Sequence, residues 1–240
     1  MNRRDFAMLS ATAALPGLAG DAGGGGKLKV VVVGAHPDDP ECGCGGVIAR
    51  YTDAGHTVSV VYFTRGEAGI RGKTHAEAAA IRTAEAERAA KILGARAVFA
   101  GQIDGATEVN KARYAEFDKL MAAEVPDVVF AHWPLDTHAD HCAASLAAYH
   151  AWLATRRKPA LYFFEVMTNS GRQTQQFTPS VFVDITAAAA RKREAIYAHA
   201  SQDPASYYPA HEQLARSRGM EIRCRYAEAF APAWRESLAI

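Results

Sequence analysis

The run Val30-Val31-Val32-Val33 passes through Gly34-Ala35 straight into His36-Pro37-Asp38-Asp39-Pro40-Glu41. A run of consecutive β-branched residues has no polar face, so a strand there must be covered on both sides, as parallel strands inside an α/β sheet are. In such sheets ligands bind in the crevice beyond the carboxyl ends of the strands, where this imidazole and its carboxylates fall. His36 and Asp39, spaced i, i+3, can aim at one point from a tight turn, while Asp38 between them points elsewhere. A plain polar turn whose aspartates cap the next helix would use the same residues. A second cluster favours the site: Asp136-Thr137-His138-Ala139-Asp140-His141 follows another apolar run, Val128-Val129-Phe130-Ala131. Ends of parallel strands lying side by side bring such clusters together.

The rest of the chain repeats the alternation. Strands are expected over Lys27 to Gly34, Thr57 to Phe63, Ala97 to Ala100, Asp127 to Ala131, Ala160 to Glu165 and Val181 to Ile185. Helices are expected over Gly45 to Ala54, from the capping box Thr74/Glu77 to Gly94, over Lys111 to Ala123, Cys142 to Ala154, Thr186 to about Ala200 and Glu212 to Ser217. This pattern implies a single-domain Rossmann-like α/β fold with a mainly parallel sheet and helices on both faces. The 240 residues, 49% hydrophobic, suffice for one core, with no composition shift to mark a second domain. A nucleotide site is excluded, because the loop after the first strand has neither Gly-x-Gly-x-x-Gly nor a P-loop lysine.

With 27 basic and 26 acidic residues, the net charge of +1 gives no pull towards nucleic acid. No stretch has the roughly 20 apolar residues of a membrane-spanning helix. Residues 1–26 differ in kind: Arg3-Arg4-Asp5-Phe6, an Ala-rich apolar run to Leu18 and the linker Gly23 to Gly26 resemble a twin-arginine export signal. The expectation is a periplasmic protein with residues 27–240 as its folded part. Cys42, Cys44 and Cys142 flank the two clusters, but Cys-x-Cys lacks the spacing of paired zinc thiolates, so they are expected to pack rather than ligate.

His36, Asp39 and one histidine of the second cluster make a two-histidine, one-carboxylate set with a position left for water. That suits catalytic zinc, and also non-haem Fe2+. Asp38, a spare carboxylate beside such a water, is what hydrolysis needs as general base. The remaining histidine could stabilise an oxyanion and assist a leaving amine.

These residues resemble the PIG-L type (LmbE-like) N-acetylglucosaminyl de-N-acetylases. The likeness rests on Gly34 to Glu41 and Asp136 to His141. It extends to Thr64 to Gly69, Arg82 with Glu85-Ala86, His199 to Gln202 and Tyr226 to Phe230. Pro40 stands where an aliphatic residue is more usual. The resemblance implies zinc on His36, Asp39 and His141, with Asp38 as base. It further implies that His138 assists the oxyanion and leaving group, oriented by Asp140, and that Arg82 contacts substrate. Tyr207 and Arg65 are further candidates for substrate contact, and Glu41 for support of the ligands. The substrate class implied is a small N-acetylated sugar conjugate, and relatives often form homo-oligomers. His56, His75, His150 and His211 are expected on surfaces or helix faces, and His132 and His199 in structural support.

Overall fold

This computed structural model describes residues 15–18, 26–155, 159–167 and 176–233. The apolar runs form β1 (Lys29–Gly34), β2 (Thr57–Tyr62), β3 (Arg96–Phe99), β4 (Val128–His132), β5 (Ala160–Phe164), β6 (Val181–Asp184) and β7 (Ala227–Pro232). Among the described residues they make one seven-stranded sheet, ordered β3-β2-β1-β4-β5-β7-β6. β1 to β5 pair in parallel, and β7 runs antiparallel between β5 and β6.

From β1 the chain builds outward to β2 and β3, then returns to place β4 on the other side. That reversal leaves a crevice between β1 and β4. The register sets Val33 beside Ala131, so the loops leaving these strands open next to each other.

Helices α1 (Asp39–Asp53), α2 (His75–Ile92) and α5 (Ala189–Tyr197) cover one face, and α3 (Lys111–Glu124) and α4 (Ala139–Ala154) the other. Val30 and Val32 enter the first layer, Val31 and Val33 the second, none more than 1% exposed. Burying each valine is worth roughly 1.5–3 kcal/mol, which commits β1 to the middle of the sheet. The fold is the single α/β domain that the alternation of runs implies.

Several boundaries differ from expectation. α1 begins at Asp39 rather than near Gly45, so the motif is itself the start of the helix. Pro40 supplies a helical φ in the first turn, and Asp38 turns the chain with φ 112° and ψ −29°. Gly43, inside this earlier start, is a packing site, since a Cβ there would collide with the Phe164 ring. α4 begins at Ala139, capped by His138, which places His141 in its first turn. The long helix expected from Thr186 divides into a 3-10 turn (Thr186–Ala188), α5 and a second turn (Ala200–Gln202). It stops there because Asp203, preceding Pro204, is barred from the helical region and takes φ 51°. Pro204 then opens α6 (Pro204–Glu221), much longer than the helix expected over Glu212 to Ser217.

Leu15 is buried in the core beside α1, and the Tyr51 hydroxyl donates to the Pro16 carbonyl at 3.0 Å. Residues 1–14 and 19–25 of the expected export segment, Arg3 and Arg4 included, lie outside the described residues. No described helix is long and apolar enough to cross a membrane.

Candidate active site

The β1 and β4 loops meet over a cavity of about 430 Å³. Its hub is one atom, Asp39 Oδ2, which accepts from the His36 backbone N–H at 2.8 Å. The same oxygen lies 3.3 Å from His36 Nδ1, from His132 Nε2 and from His141 Nε2. Ligand atoms on a tetrahedral ion with bonds of about 2.1 Å stand about 3.4 Å apart, so this spacing fits a metal centre. His36–His138–His141, Asp39–His132–His141 and His36–Asp104–Asp140 are the three-residue groups close enough to hold an ion among the described residues, none with a cysteine; the expected trio His36, Asp39 and His141 is not itself one of them, although Asp39 Oδ2 lies 3.3 Å from a nitrogen of each histidine.

The outer nitrogens of the imidazoles support the same reading. His141 Nδ1 lies 3.1 Å from Asp136 Oδ1, while His36 Nε2 lies 3.2 Å from Asp104 Oδ1 and 3.1 Å from Asp140 Oδ2. A carboxylate behind a histidine fixes its ring and raises its basicity as a ligand. His132 differs. The Ala35 N–H donates to its Nε2 at 3.1 Å, so that lone pair is committed, and its ring stacks on His141 with centroids 4.1 Å apart. Burial and the neighbouring His141 lower His132 to about 4, so it serves as a neutral brace.

Charge at the hub follows from these contacts. Burial works against ionisation of Asp39, but His141 and His132 outweigh it and hold the carboxyl well below its usual range. Burial likewise opposes protonation of His141, yet Asp39 and Asp136 raise it to about 9. Asp38 behaves oppositely to Asp39. Burial, only partly offset by Arg82, pushes it up to about 6, poised near neutrality as a base must be. One fifth of its side chain faces the cavity, and Arg82 Nη2 lies 3.3 Å from Asp38 Oδ2 while also donating to the Pro37 carbonyl. Arg82 is itself buried over Gly66 and Gly69, where any side chain would strike the guanidinium.

His138 is exposed at the rim, its ring 4.7 Å from His36 and 4.9 Å from His141 between centroids. The Asp140 N–H donates to its Nδ1 at 3.2 Å, so the ring's proton sits on Nε2. Burial, His36 and His141 keep it below its ordinary pKa. The Asp140 carboxylate does not turn to His138. It accepts from Thr107 Oγ1 at 2.6 Å and the Gly105 N–H at 2.8 Å, and rests on His36.

Of the expected substrate residues, Tyr207 lines the cavity, and its buried hydroxyl has no hydrogen-bond partner among the described residues. Arg82 lines the cavity too. Arg65 does not; it is exposed, with its guanidinium 5.5 Å from the Phe99 ring centroid. Glu41 is fully buried behind the site, accepting from the Tyr62 hydroxyl with His199 3.5 Å away. His211, expected on a helix surface, is buried and lines the cavity, because α6 starts earlier and folds across the sheet end. Asp104 also escaped sequence reading, and Asp136, read as part of the second cluster, was given no role of its own. Asp104-Gly105 at the end of β3 was a signal in principle, since turn acids at strand ends are site positions.

A mostly parallel α/β sheet with a histidine–aspartate metal-type site at its point of strand reversal is the class this geometry defines. Within it, the chain belongs to the PIG-L family, described as GlcNAc-PI de-N-acetylase, matched over residues 31–152. It is 29% identical over 218 residues to a diacetylchitobiose deacetylase of Thermococcus kodakarensis, covering 83% of this chain and 81% of that protein. The solved N,N'-diacetylchitobiose deacetylase from Pyrococcus horikoshii, in complex with its inhibitor, superposes with TM-score 0.75 at 26% identity, covering 85% and 84% of the two chains. GalB, the 4-carboxy-2-hydroxymuconate hydratase from Pseudomonas putida KT2440, gives TM-score 0.77 at 25% identity over 89% of this chain and 99% of that one.

Proposed function

We propose that this protein is a zinc-dependent hydrolase that removes the acetyl group from an N-acetylglucosamine-type amino sugar or conjugate. The observation that carries this reading is the division of labour between adjacent aspartates. Asp39 sits where the imidazoles converge, and Asp38 turns into the cavity with a raised pKa. Two similar proteins are diacetylchitobiose deacetylases, which supports the substrate class.

His36, Asp39 and His141 would hold the ion, with Asp104, Asp140 and Asp136 behind the histidines. The set accepts Fe2+ as well, but a free base beside it favours hydrolysis and zinc. Bound there, a divalent zinc ion polarises the carbonyl and acidifies water. Asp38 takes a proton from the attacking water as its oxygen bonds to the carbonyl carbon. His138, with Nε2–H free, hydrogen-bonds the developing oxyanion. The C–N bond then breaks, the proton held by Asp38 passes to nitrogen, and acetate and the free amine leave. Arg82 keeps Asp38 in position, and the Tyr207 hydroxyl is available to substrate.

The test is metal analysis together with acetate release from N-acetylglucosamine, N,N'-diacetylchitobiose and N-acetylglucosaminyl-phosphatidylinositol. About one zinc per chain and acetate release from at least one substrate are expected. The likeness to GalB favours one other reading, addition of water to a carbon–carbon double bond; hydration of 4-carboxy-2-hydroxymuconate without acetate release would select it. Zinc-dependent sugar binding without turnover would leave a carbohydrate-binding protein, and hydrolysis confined to other N-acyl compounds an amidase.

The same proposal places the protein in the periplasm, exported through the twin-arginine route and then processed. Arg3-Arg4, the apolar run and the Gly linker support this. Replacing Arg3 and Arg4 together by Lys should leave unprocessed protein inside the cell, and unchanged processing would refute the route.

A further inference from the structure

Residues 15–18 fall inside the apolar run read as part of an export signal, yet they are built into the fold. The Leu18 N–H donates to the Leu15 carbonyl at 3.1 Å, which closes a turn. Its central residues are Pro16, whose ring fixes φ, and Gly17 at φ 74°, the pair that a type II turn favours. Leu15 is only 2% exposed and belongs to the same core layer as Ile48 and Tyr51, and Leu18 packs against that layer.

Polar contacts hold the turn in place. The hydroxyl of the buried Tyr51 donates to the Pro16 carbonyl at 3.0 Å. The Leu28 N–H donates to His56 Nδ1 at 3.2 Å, so the ring proton sits on Nε2, which donates to the Gly17 carbonyl at 3.2 Å. A Cβ on Gly17 would come within 2.7 Å of both the His56 and the Leu28 side chains, so the turn is seated closely against them. Leu28 and His56 immediately precede β1 and β2, at the end of the sheet opposite the active-site cavity.

The chain offers two small-residue sequences of the kind that signal peptidases cut after, Ala11-Thr12-Ala13 and Gly17-Leu18-Ala19. Cutting after Ala19 would require Gly17 and Leu18 to leave the turn, and it would discard Leu15. A gap would open in the core, and the Tyr51 hydroxyl would lose its acceptor; both cost stability. Cutting after Ala13 breaks none of these contacts.

We propose that the leader is cut after Ala13 and that the turn Leu15–Leu18 stays on the mature protein as a clasp across the entry ends of β1 and β2. Ala11-Thr12-Ala13 lies outside the described residues and is read from the sequence; the docked turn decides between the two sequences. The inference rests on the export reading above. The step is hydrolysis of the Ala13–Ala14 peptide bond by a signal peptidase: water supplies hydroxyl to the Ala13 carbonyl carbon and a proton to the Ala14 nitrogen as the C–N bond breaks.

The experiment expresses the full chain in a bacterium with a working twin-arginine system and reads the N-terminus of the exported protein by intact mass and N-terminal sequencing. A mature chain beginning at Ala14 is expected, and one beginning at Gly20 or later overturns the inference. Ala13→Gln should block processing while Ala19→Gln leaves it unchanged; the opposite pattern overturns it too. Gly17→Ala keeps a small residue at that position but forces alanine into φ 74°, so the mature variant should melt about 2–8 °C below wild type. An unchanged melting temperature would show that the turn is no part of the fold. If that variant does not fold, the wild-type N-terminus and the Ala13 and Ala19 variants decide. A chain that stays uncut inside the cell sinks the export reading and the cut together, whereas a cut before Gly20 that depends on Arg3 and Arg4 sinks only the cut after Ala13 and leaves export standing.

Discussion

The β1 loop and the β4 loop carry the same residue types but are built differently. His36 to Glu41 is locked down: Asp39 and Glu41 lie in the first turn of a buried helix, and Asp38 is held in a left-handed conformation by its neighbours. The β4 loop is more open, with Leu135 51% exposed and His138 exposed, while Asp140 and His141 are buried in the first turn of α4 that follows it. A buried loop can hold an ion and a base in fixed relation. A rim loop can offer a proton donor that reaches substrate and then lets product leave.

The largest test of that contrast lies within the β1 loop. Asp38→Asn should keep zinc and lose ~10²- to 10⁴-fold in turnover, because shape is preserved and only the base is removed. Asp39→Asn should instead lose zinc, since an amide is a poorer ligand. Zinc per chain and acetate release, measured side by side, decide it; metal loss in Asp38→Asn with retention in Asp39→Asn would reverse the assignment.

In the β4 loop, His141→Ala should lose metal, whereas His138→Ala should retain it and lose turnover. Asp136→Asn probes the same point more gently. It leaves all proposed ligands in place and should weaken zinc affinity ~10- to 100-fold, the usual cost of removing a carboxylate behind a ligand histidine. Competition with a chelator measures it, and wild-type affinity would show that Asp136 does not support His141.

A third test uses pH on the metal-free protein. His141 sits at about 9 in the fold against about 6.5 unfolded, because Asp39 and Asp136 override its burial. A raised pKa contributes stability that is fully present below about 6.5 and is lost as pH rises through about 9. The melting temperature of metal-free protein should therefore fall across that window. With zinc bound the ring carries no proton at the ligating nitrogen, so this fall should disappear. A flat metal-free profile would mean that the ion pair at the hub does not form.

The smallest expected effect compares packing around the two loops. Gly43→Ala should cost ~1–3 kcal/mol, because its methyl meets Phe164 beneath the β1 loop. Leu135→Ala, on the open β4 loop, should shift stability by no more than about 0.5 kcal/mol. Chemical denaturation reads both, and equal losses would mean that the two loops are equally rigid.

What was legible in the chain was whatever short-range chemistry decides. Four adjacent valines allow little but a central strand, and Thr74 with Glu77 forms its capping box from residues within one turn. His36, Asp38 and Asp39 could be singled out because strand ends in such sheets are where sites form. Tertiary structure decided the rest, because it depends on which distant elements meet. The helix was expected only from Gly45, yet it starts at Asp39, and the close approach of Phe164, Lys192 and Ile185 to Gly43, Gly45 and Gly46 is what requires glycines in it. His132 reads as the end of a strand until the register brings it to Ala35 and Asp39. Asp140 stands next to His141 and two residues from His138, but its carboxylate belongs to His36, delivered by another strand. His211 joins the cavity only because α6 crosses the sheet end. Sequence spacing carries side-chain type and local conformation; partnership across more than a turn is fixed by the sheet order and the packing of helices on it, which no local pattern encodes.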